Sequence, residues 1–135
     1  MIKRKFVVSG KRKRAIAKAT IEEGEGRVLI NHTPYQNLDF LNKLSIEEPI
    51  EITKNVLDNF KFDIDVNVRG GGSQSQIEAS RLAIARALVG YTKNESLKKA
   101  FSRYDKSLLV ADTRRKEAYK PGDSKARRKR QKSFR

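Results

Sequence analysis

The sequence predicts an α+β domain of four or five strands and three or four helices, followed by a basic tail. Residues 60–69 alternate strictly between apolar and polar side chains, which is the pattern of a half-buried strand. Further along the chain, apolar side chains recur at helical spacing in two segments that follow capping residues. This periodicity stops after Asp112, so we expect residues 1–112 to form one globular domain and residues 113–135 an extended basic tail.

The first third of the chain is predicted to be a β-meander. Two strands are expected at residues 6–8 and 15–21, separated by the basic run 9–14. Gly24-Glu25-Gly26 then indicates a hairpin turn into a third strand over residues 27–30, because glycine readily adopts the positive φ that such turns need.

The middle of the chain is predicted to hold two short helices. The segments that begin at Thr33 and at Ser45 each show capping-box spacing, in which a Gln or Glu follows the cap by three residues. They predict helices near residues 34–41 and 46–58, the first of them with a proline at its first position.

Two further helices are predicted after the alternating strand. Ser73 and Gln76 again have capping-box spacing, at the start of a helix that runs to about Val89. Asn94 or Thr92 is predicted to cap the next helix, whose apolar residues fall on one face.

The end of the chain changes character. Residues 107–111 form a short apolar run that predicts a last strand. From Lys116 onward there are too few apolar side chains to offset the entropy of ordering, so we expect this segment to be disordered when it is alone in solution.

Basic residues are concentrated at the two ends of the chain. The formal net charge is +15, from 31 Lys and Arg against 16 Asp and Glu. Residues 1–18 hold eight Lys and Arg and no acid, and residues 114–135 hold eleven against two acids. Charges this dense repel one another, and a polyanion such as nucleic acid would neutralise them. The residues predicted to contact phosphate are Lys11, Arg12, Lys13, Arg14, Arg114, Arg115, Arg127, Arg128, Lys129 and Arg130.

A glycine-rich junction between the alternating strand and the next helix is a second candidate for anion binding. It consists of Gly70, Gly71, Gly72 and Ser73, and the start of a helix exposes unpaired N–H groups to an anion. Three interpretations stay open: a plain structural turn, a contact to nucleic-acid phosphate, and a mononucleotide site. The run matches neither the P-loop nor the dinucleotide-binding pattern.

The composition excludes several kinds of chemistry. With no cysteine there is no disulfide, thiolate zinc site, iron–sulfur cluster or cysteine nucleophile. The single His32 has no orienting partner in the sequence pattern, so we interpret it as a loop residue or RNA contact. Asp63 and Asp65 are interpreted as solvated residues rather than metal ligands. Arg81 is interpreted as a residue that either extends its charged group to solvent or pairs with an acid, rather than as an RNA contact. We predict no metal, no cofactor and no enzymatic activity.

No apolar run reaches the roughly 18 residues that a membrane-spanning helix requires. Together with the absence of cysteine, this predicts a cytoplasmic protein with no membrane partner.

Four blocks of sequence resemble the family of the universal small-subunit ribosomal protein nine. They are residues 10–19, residues 70–76 with the helical segment 83–88, residues 108–112 and residues 131–135, and they occur in the family's order and spacing. The Gly-Gly-Gly-Ser-Gln-Ser-Gln run and the Gln-Lys-Ser-Phe-Arg ending are similar to the archaeal and eukaryotic branch.

The resemblance implies a fold and a place in the ribosome. The implied fold is a three-stranded meander and a left-handed β-α-β crossover in a four-stranded sheet with helices on one face. The implied site is the head of the small subunit, among small-subunit rRNA and neighbouring ribosomal proteins, with the tail reaching the peptidyl-site tRNA. The residues that the resemblance places near this tRNA are Lys132, Ser133, Phe134 and Arg135.

Three functions are therefore distinguished. The preferred one is a structural constituent of the small ribosomal subunit that binds rRNA and supports tRNA. The alternative is a free RNA chaperone or RNA-processing factor that uses the same basic segments. A small kinase-like enzyme with a nucleotide at residues 70–73 is disfavoured, because the loop lacks a phosphate-bridging lysine.

Overall fold

The computed structural model describes residues 4–110, which form a mixed sheet and three α-helices and confirm the predicted α+β class. The strands are β1 (Phe6–Arg12), β2 (Ala15–Glu23), β3 (Val28–Ile30), β4 (Thr33–Pro34) and β5 (Phe62–Arg69). The α-helices are α1 (Phe40–Leu57), α2 (Ser73–Thr92) and α3 (Glu95–Tyr104), and short 3-10 turns occupy Tyr35–Asn37 and Lys106–Leu108.

The sheet has the strand order β1-β2-β5-β3-β4, which corrects two predictions. The sheet of residues 4–110 has five strands, which lies within the four or five predicted from the residues but differs from the four that the resemblance implies, because Thr33–Pro34 pairs with β3 as a two-residue edge strand. The predicted meander is wrong, because β5 lies between β2 and β3, antiparallel to the first and parallel to the second. α1 lies in the connection between the parallel strands β3 and β5. The left-handed sense of this crossover stays a prediction.

Asp63 of β5 explains why the Gly24-Glu25-Gly26 loop does not close a hairpin. Its Oδ1 accepts the backbone N–H groups of Glu25, Gly26 and Arg27 at 3.0, 3.2 and 3.1 Å. The loop therefore wraps around a carboxylate of the inserted strand instead of pairing with itself. Asp63 is partly buried by this role, so its interpretation as a solvated residue is wrong.

The two helices predicted for residues 34–58 are one 3-10 turn and one long helix. α1 begins at Phe40 and passes through both Ser45 and Pro49 without interruption. Ser45 does not cap a helix, because its hydroxyl donates to the carbonyl of Leu41 one turn earlier. No helix within residues 4–110 has the length and apolar character needed to cross a bilayer.

α2 packs across one face of the sheet and forms the centre of the core. The facing side chains of β2 are small, with Ala15, Ala17 and Ala19 fully buried. At Gly10 of β1 a methyl group would lie 2.6 Å from the carbonyl oxygen of Ala79 in α2, so the strand and helix backbones are in direct contact there. α1 and α3 then pack against α2 and against each other.

Two arginines of α2 fasten the other elements. Arg81 pairs with Glu48 of α1 and, at 3.4 Å, with Asp105 after α3, which confirms the second of its two predicted roles, pairing with an acid. Arg86 donates to the carbonyls of Ser9 at 3.2 Å and Leu109 at 3.0 Å. Arg86 thus joins the end of the described chain to the edge strand β1.

The strand predicted at residues 107–111 is wrong for the part that the structure describes. Lys106–Leu108 is a 3-10 turn, and Leu108 is buried in the core. Ala111 lies outside the described residues.

Candidate nucleic-acid interface

The predicted basic run forms the tip of the β1–β2 hairpin. Arg12 pairs with Ala15 at the end of the ladder, so Lys13 and Arg14 are the two turn residues, and Lys13 has a φ of 54°. Lys11, Lys13 and Arg14 are exposed. None of these three forms an ion pair with a carboxylate of residues 4–110, so their charges face solvent uncompensated.

Arg12 differs from its neighbours. Its Nε lies 2.6 Å from Oε2 of Glu78 in α2, and only 18% of its side chain is exposed. This ion pair attaches the hairpin to α2, so Arg12 positions the hairpin tip while the adjacent side chains extend from it.

The glycine loop lies directly against this hairpin. Gly70 and Gly71 have φ values of 81° and 67°, which glycine adopts without strain. A methyl group at Gly70 would lie 2.6 Å from the carbonyl oxygen of Arg14, and one at Gly71 would lie 3.1 Å from the backbone nitrogen of Ala15. The structure therefore brings together two predicted segments that are more than fifty residues apart in sequence.

The helix that follows the loop begins differently from the prediction. Gly72 is the N-cap of α2 and no side chain caps it, so the predicted capping box of Ser73 and Gln76 is absent. The Gln76 amide instead donates to the carbonyl of Gly70 at 3.2 Å, which ties the loop to the first turn. Ser73 is exposed, and the first turn of α2 contains no acidic residue. These features favour an anion near the start of the helix.

A second turn lies at the same end of the sheet. Asn31 and His32 connect β3 to β4 with φ values of 50° and 66°. The Asn31 amide donates to the carbonyl of Val68 at 3.3 Å, and its oxygen accepts the Val68 N–H at 2.9 Å, so it continues the β3–β5 ladder. His32 is exposed, which agrees with its interpretation as a loop residue.

Two basic residues that the sequence analysis did not select lie beside the hairpin tip. Lys18 of β2 and Arg69 of β5 are exposed on the sheet face that α2 does not cover. Arg69 pairs with Ile16, which also pairs with Lys11. The strict alternation of residues 60–69 already placed Arg69 on the polar face, but the sheet order was needed to place it next to the hairpin.

The opposite end of the same face carries acids. A cavity of about 450 Å³ lies there. The charged residues that line it are Lys5, Glu22, Arg27, Asp63 and Asp65, and the uncharged ones are Thr20, Leu29 and Ile64. Desolvation acts to raise the pKa of Asp63, but the N–H groups of Arg27, Glu25 and Gly26 and the Arg27 charge outweigh it and lower this pKa. Asp63 thus stays ionised and fully engaged in holding the loop.

The remaining predicted site residues lie outside the part of the chain that the structure describes. They are Arg114, Arg115, Arg127, Arg128, Lys129 and Arg130, and the tRNA-proximal Lys132, Ser133, Phe134 and Arg135. Within residues 4–110, an exposed cationic hairpin against a glycine loop, on a scaffold of sheet and helices, is typical of a nucleic-acid-binding domain.

Comparisons with known proteins agree with that class. The family model for ribosomal protein S9/S16 matches residues 10–135. The small ribosomal subunit protein uS9 of Methanococcus maripaludis strain C7 is 43% identical over 129 residues, which cover 93% of this chain and 95% of the relative. The protein of the same name from Methanothrix thermoacetophila is 42% identical over 128 residues, covering 94% and 96%.

The chain belongs to the ribosomal protein S9/S16 family. This membership confirms the resemblance seen in the four sequence blocks, and the relatives named above are archaeal, in agreement with the predicted branch. It also confirms the predictions of a ribosomal protein of the small subunit, in the cytoplasmic ribosome, with a structural rather than an enzymatic role.

Proposed function

We propose that this protein binds rRNA in the head of the small subunit through the hairpin tip and the glycine loop, and supports peptidyl-site tRNA through its tail. One observation carries the rRNA part: the backbone of Gly70 touches that of Arg14, so two predicted phosphate-binding segments form one surface. Three exposed cations, Lys11, Lys13 and Arg14, project there without acidic partners among residues 4–110. Phosphate oxygens are the acceptors that Lys and Arg in such an arrangement favour.

Incorporation into the subunit tests the rRNA part. The Lys13→Ala/Arg14→Ala variant should be incorporated less completely than the wild type, and the deficit should grow as salt is raised, because each lost phosphate contact weakens binding. The matched control is Lys98→Ala/Arg103→Ala, which removes one Lys and one Arg from the exposed side of α3. Equal incorporation of all three proteins at high salt would contradict the role of the hairpin.

Cell fractionation separates this function from that of a free RNA chaperone or RNA-processing factor. A structural constituent should co-sediment with small subunits at one copy per particle in high salt. A protein pool that is largely free of ribosomes would support the alternative.

The tail is tested by deleting residues 131–135. We expect the deletion to leave subunit assembly largely intact, because the upstream basic residues remain, and to weaken tRNA binding in the peptidyl site by about 1 to 3 kcal/mol. The measurement is a tRNA titration on purified small subunits, after occupancy by the truncated protein has been verified. Unchanged tRNA affinity at full occupancy would contradict the tRNA-binding role of residues 131–135 and leave them a role in assembly only.

A further inference from the structure

The uncovered face of the sheet has a basic end, and the proposed function uses only Lys11 of it. α2 packs on one face of β1, β2 and β5, and the opposite face is exposed near the hairpin. There Ile16 is 44% exposed, although it belongs to a paired strand. Val7, further from the hairpin on the same face, is 61% exposed. No element of residues 4–110 covers this region.

The strand register places three cations around Ile16. Lys11 of β1 and Arg69 of β5 both pair with Ile16, one on each side, and Lys18 lies two residues further along β2. From ordinary strand spacings, the Cβ atoms of these cations are about 7 to 10 Å apart. They therefore form a triangle on a rigid surface rather than a flexible charge run.

These cations outnumber the acids around them on this face. None of the three forms an ion pair within residues 4–110, and Lys18 pairs across the strands with the neutral residues Ser9 and Asn67. The nearest acid of the same face on β5 is Asp65, which lies diagonal to Lys18 on the side away from Arg69, where the acidic end described above begins. Three neighbouring like charges raise the free energy of the isolated domain, and a polyanion laid across them would lower it.

We propose that this face is a second RNA-contacting surface, in which Lys18 and Arg69 continue the contacts of the hairpin tip onto the sugar–phosphate backbone of the same rRNA. The surface offers cations with the polar side chains of Ser9 and Asn67 between them, and no aromatic ring on which a base could stack. Its contacts are therefore to phosphates and ribose, without base specificity. The acidic end of the face orients the domain, because it repels the same RNA. The inference rests on the proposed rRNA-binding function.

Salt-dependent binding tests this surface. The probe is a transcript of the head domain of the small-subunit rRNA, titrated with full-length protein at several salt concentrations. Lys18→Ala/Arg69→Ala should lower the affinity on the order of tenfold and reduce the slope of log K against log[salt] by roughly 1.4 to 1.8, or 0.7 to 0.9 per lost phosphate contact. The Lys98→Ala/Arg103→Ala control, with the same change in charge, should keep the wild-type slope.

The outcomes of the titration separate the sheet-face surface from the proposed rRNA-binding function. If Lys18→Ala/Arg69→Ala matches the wild type while Lys13→Ala/Arg14→Ala is weakened, the sheet-face surface is wrong and the proposed function stands. If the control loses as much affinity as the Lys18→Ala/Arg69→Ala variant, net charge alone explains the loss, and the proposed sheet-face surface is again contradicted. If the wild type itself binds without salt dependence, the proposed function fails as well.

Crosslinking distinguishes RNA from a protein as the occupant. Because the chain has no cysteine, Ile16→Cys supplies a unique attachment point in the centre of the triangle for a photoreactive group. In assembled small subunits we expect crosslinks to rRNA from this position, and markedly fewer from Ser102→Cys on α3. Crosslinks from Ile16→Cys to a ribosomal protein alone would overturn the proposal.

Discussion

At the scale of single residues, the side chains of Asp63 and Asn31 form hydrogen bonds with backbone groups that the backbone of a neighbouring strand usually satisfies. Asp63 accepts three consecutive N–H groups of the loop between β2 and β3, and Asn31 both donates to and accepts from Val68. Both residues lie just beyond the ends of the β3–β5 ladder, on the side of β5 where β3 supplies no further strand partner. The sheet order therefore depends on particular side chains as well as on apolar patterning.

Asp63→Ala should lower the free energy of unfolding by about 1 to 3 kcal/mol, because three N–H groups lose a charged acceptor. Glu25→Ala is the control, since it removes an acid from the same loop but no acceptor of these bonds. Denaturant unfolding measures both. Equal stability of the two variants would contradict the role of Asp63.

The contribution of Asp63 should depend on pH. Because the pKa of this carboxyl is lowered in the folded protein, its stabilisation is complete above the unfolded pKa of about 3.9 and is lost as the pH falls through the folded pKa. The stability difference between wild type and Asp63→Ala should thus be constant from pH 5 to 7 and shrink in stronger acid. A stability difference that grows on acidification would contradict a lowered pKa of Asp63 in the folded protein.

Gly10→Ala should be destabilising by about 1 to 3 kcal/mol, because its methyl group would meet backbone atoms of α2 that cannot move independently. Gly72→Ala is the matched control. Its methyl group would meet nothing within 4 Å, and the weaker N-cap is offset by a less flexible unfolded chain, so we expect a change within about 0.5 kcal/mol. Thermal unfolding of both variants checks the contrast.

At the scale of elements, the starts of α2 and α3 are built differently although both were predicted to be capped by side chains. Asn94 accepts the N–H groups of Ser96 and Leu97 at 2.8 and 3.3 Å, which confirms it as the cap of α3. Ser73 is the first helical residue of α2 and makes no capping bond. The extended conformation of Gly72 takes the cap position and moves Ser73 into the helix.

Asn94→Ala should therefore lower the unfolding free energy by about 1 kcal/mol, and Ser73→Ala by less than about 0.5 kcal/mol. Circular dichroism during urea unfolding gives both values. A larger loss for Ser73→Ala than for Asn94→Ala would restore the predicted capping box of α2.

The elements that the sequence predicted well are the ones whose signal is local. Strand β5 follows from alternation and α3 from one capping residue and one apolar face. Sheet order is not local: a Gly-Glu-Gly loop fits a hairpin as well as a connection around Asp63, more than thirty residues away. The hairpin tip and glycine loop were likewise predicted separately, while their contact, and the positions of Lys18 and Arg69 beside them, required the register of β2 with β5.

At the scale of the whole molecule, the core of residues 4–110 is formed by residues that precede the predicted tail. Its buried apolar residues run from Ala15 to Leu108, and residues 113–135 are the predicted tail. A protein that ends after Arg114 should therefore keep its melting temperature within a few degrees of the full-length value, since such a truncation removes no residue of this core. Calorimetry of both proteins is the measurement. Cooperative loss of structure on truncation would contradict the domain boundary.

Through its hydrogen bonds to Ser9 and Leu109, Arg86 affects how strongly the last residues of the chain can bind a partner. It fixes the point from which the remaining 25 residues start, so Arg135 stays within a covalent reach on the order of 80 to 90 Å of the β1 edge. Once the domain is bound, any contact by these residues becomes intramolecular, with an effective concentration on the order of millimolar. A contact with an intrinsic Kd of about 10 μM would then be occupied roughly 99% of the time. Weak individual contacts, each able to release quickly, are enough to keep such a tether engaged.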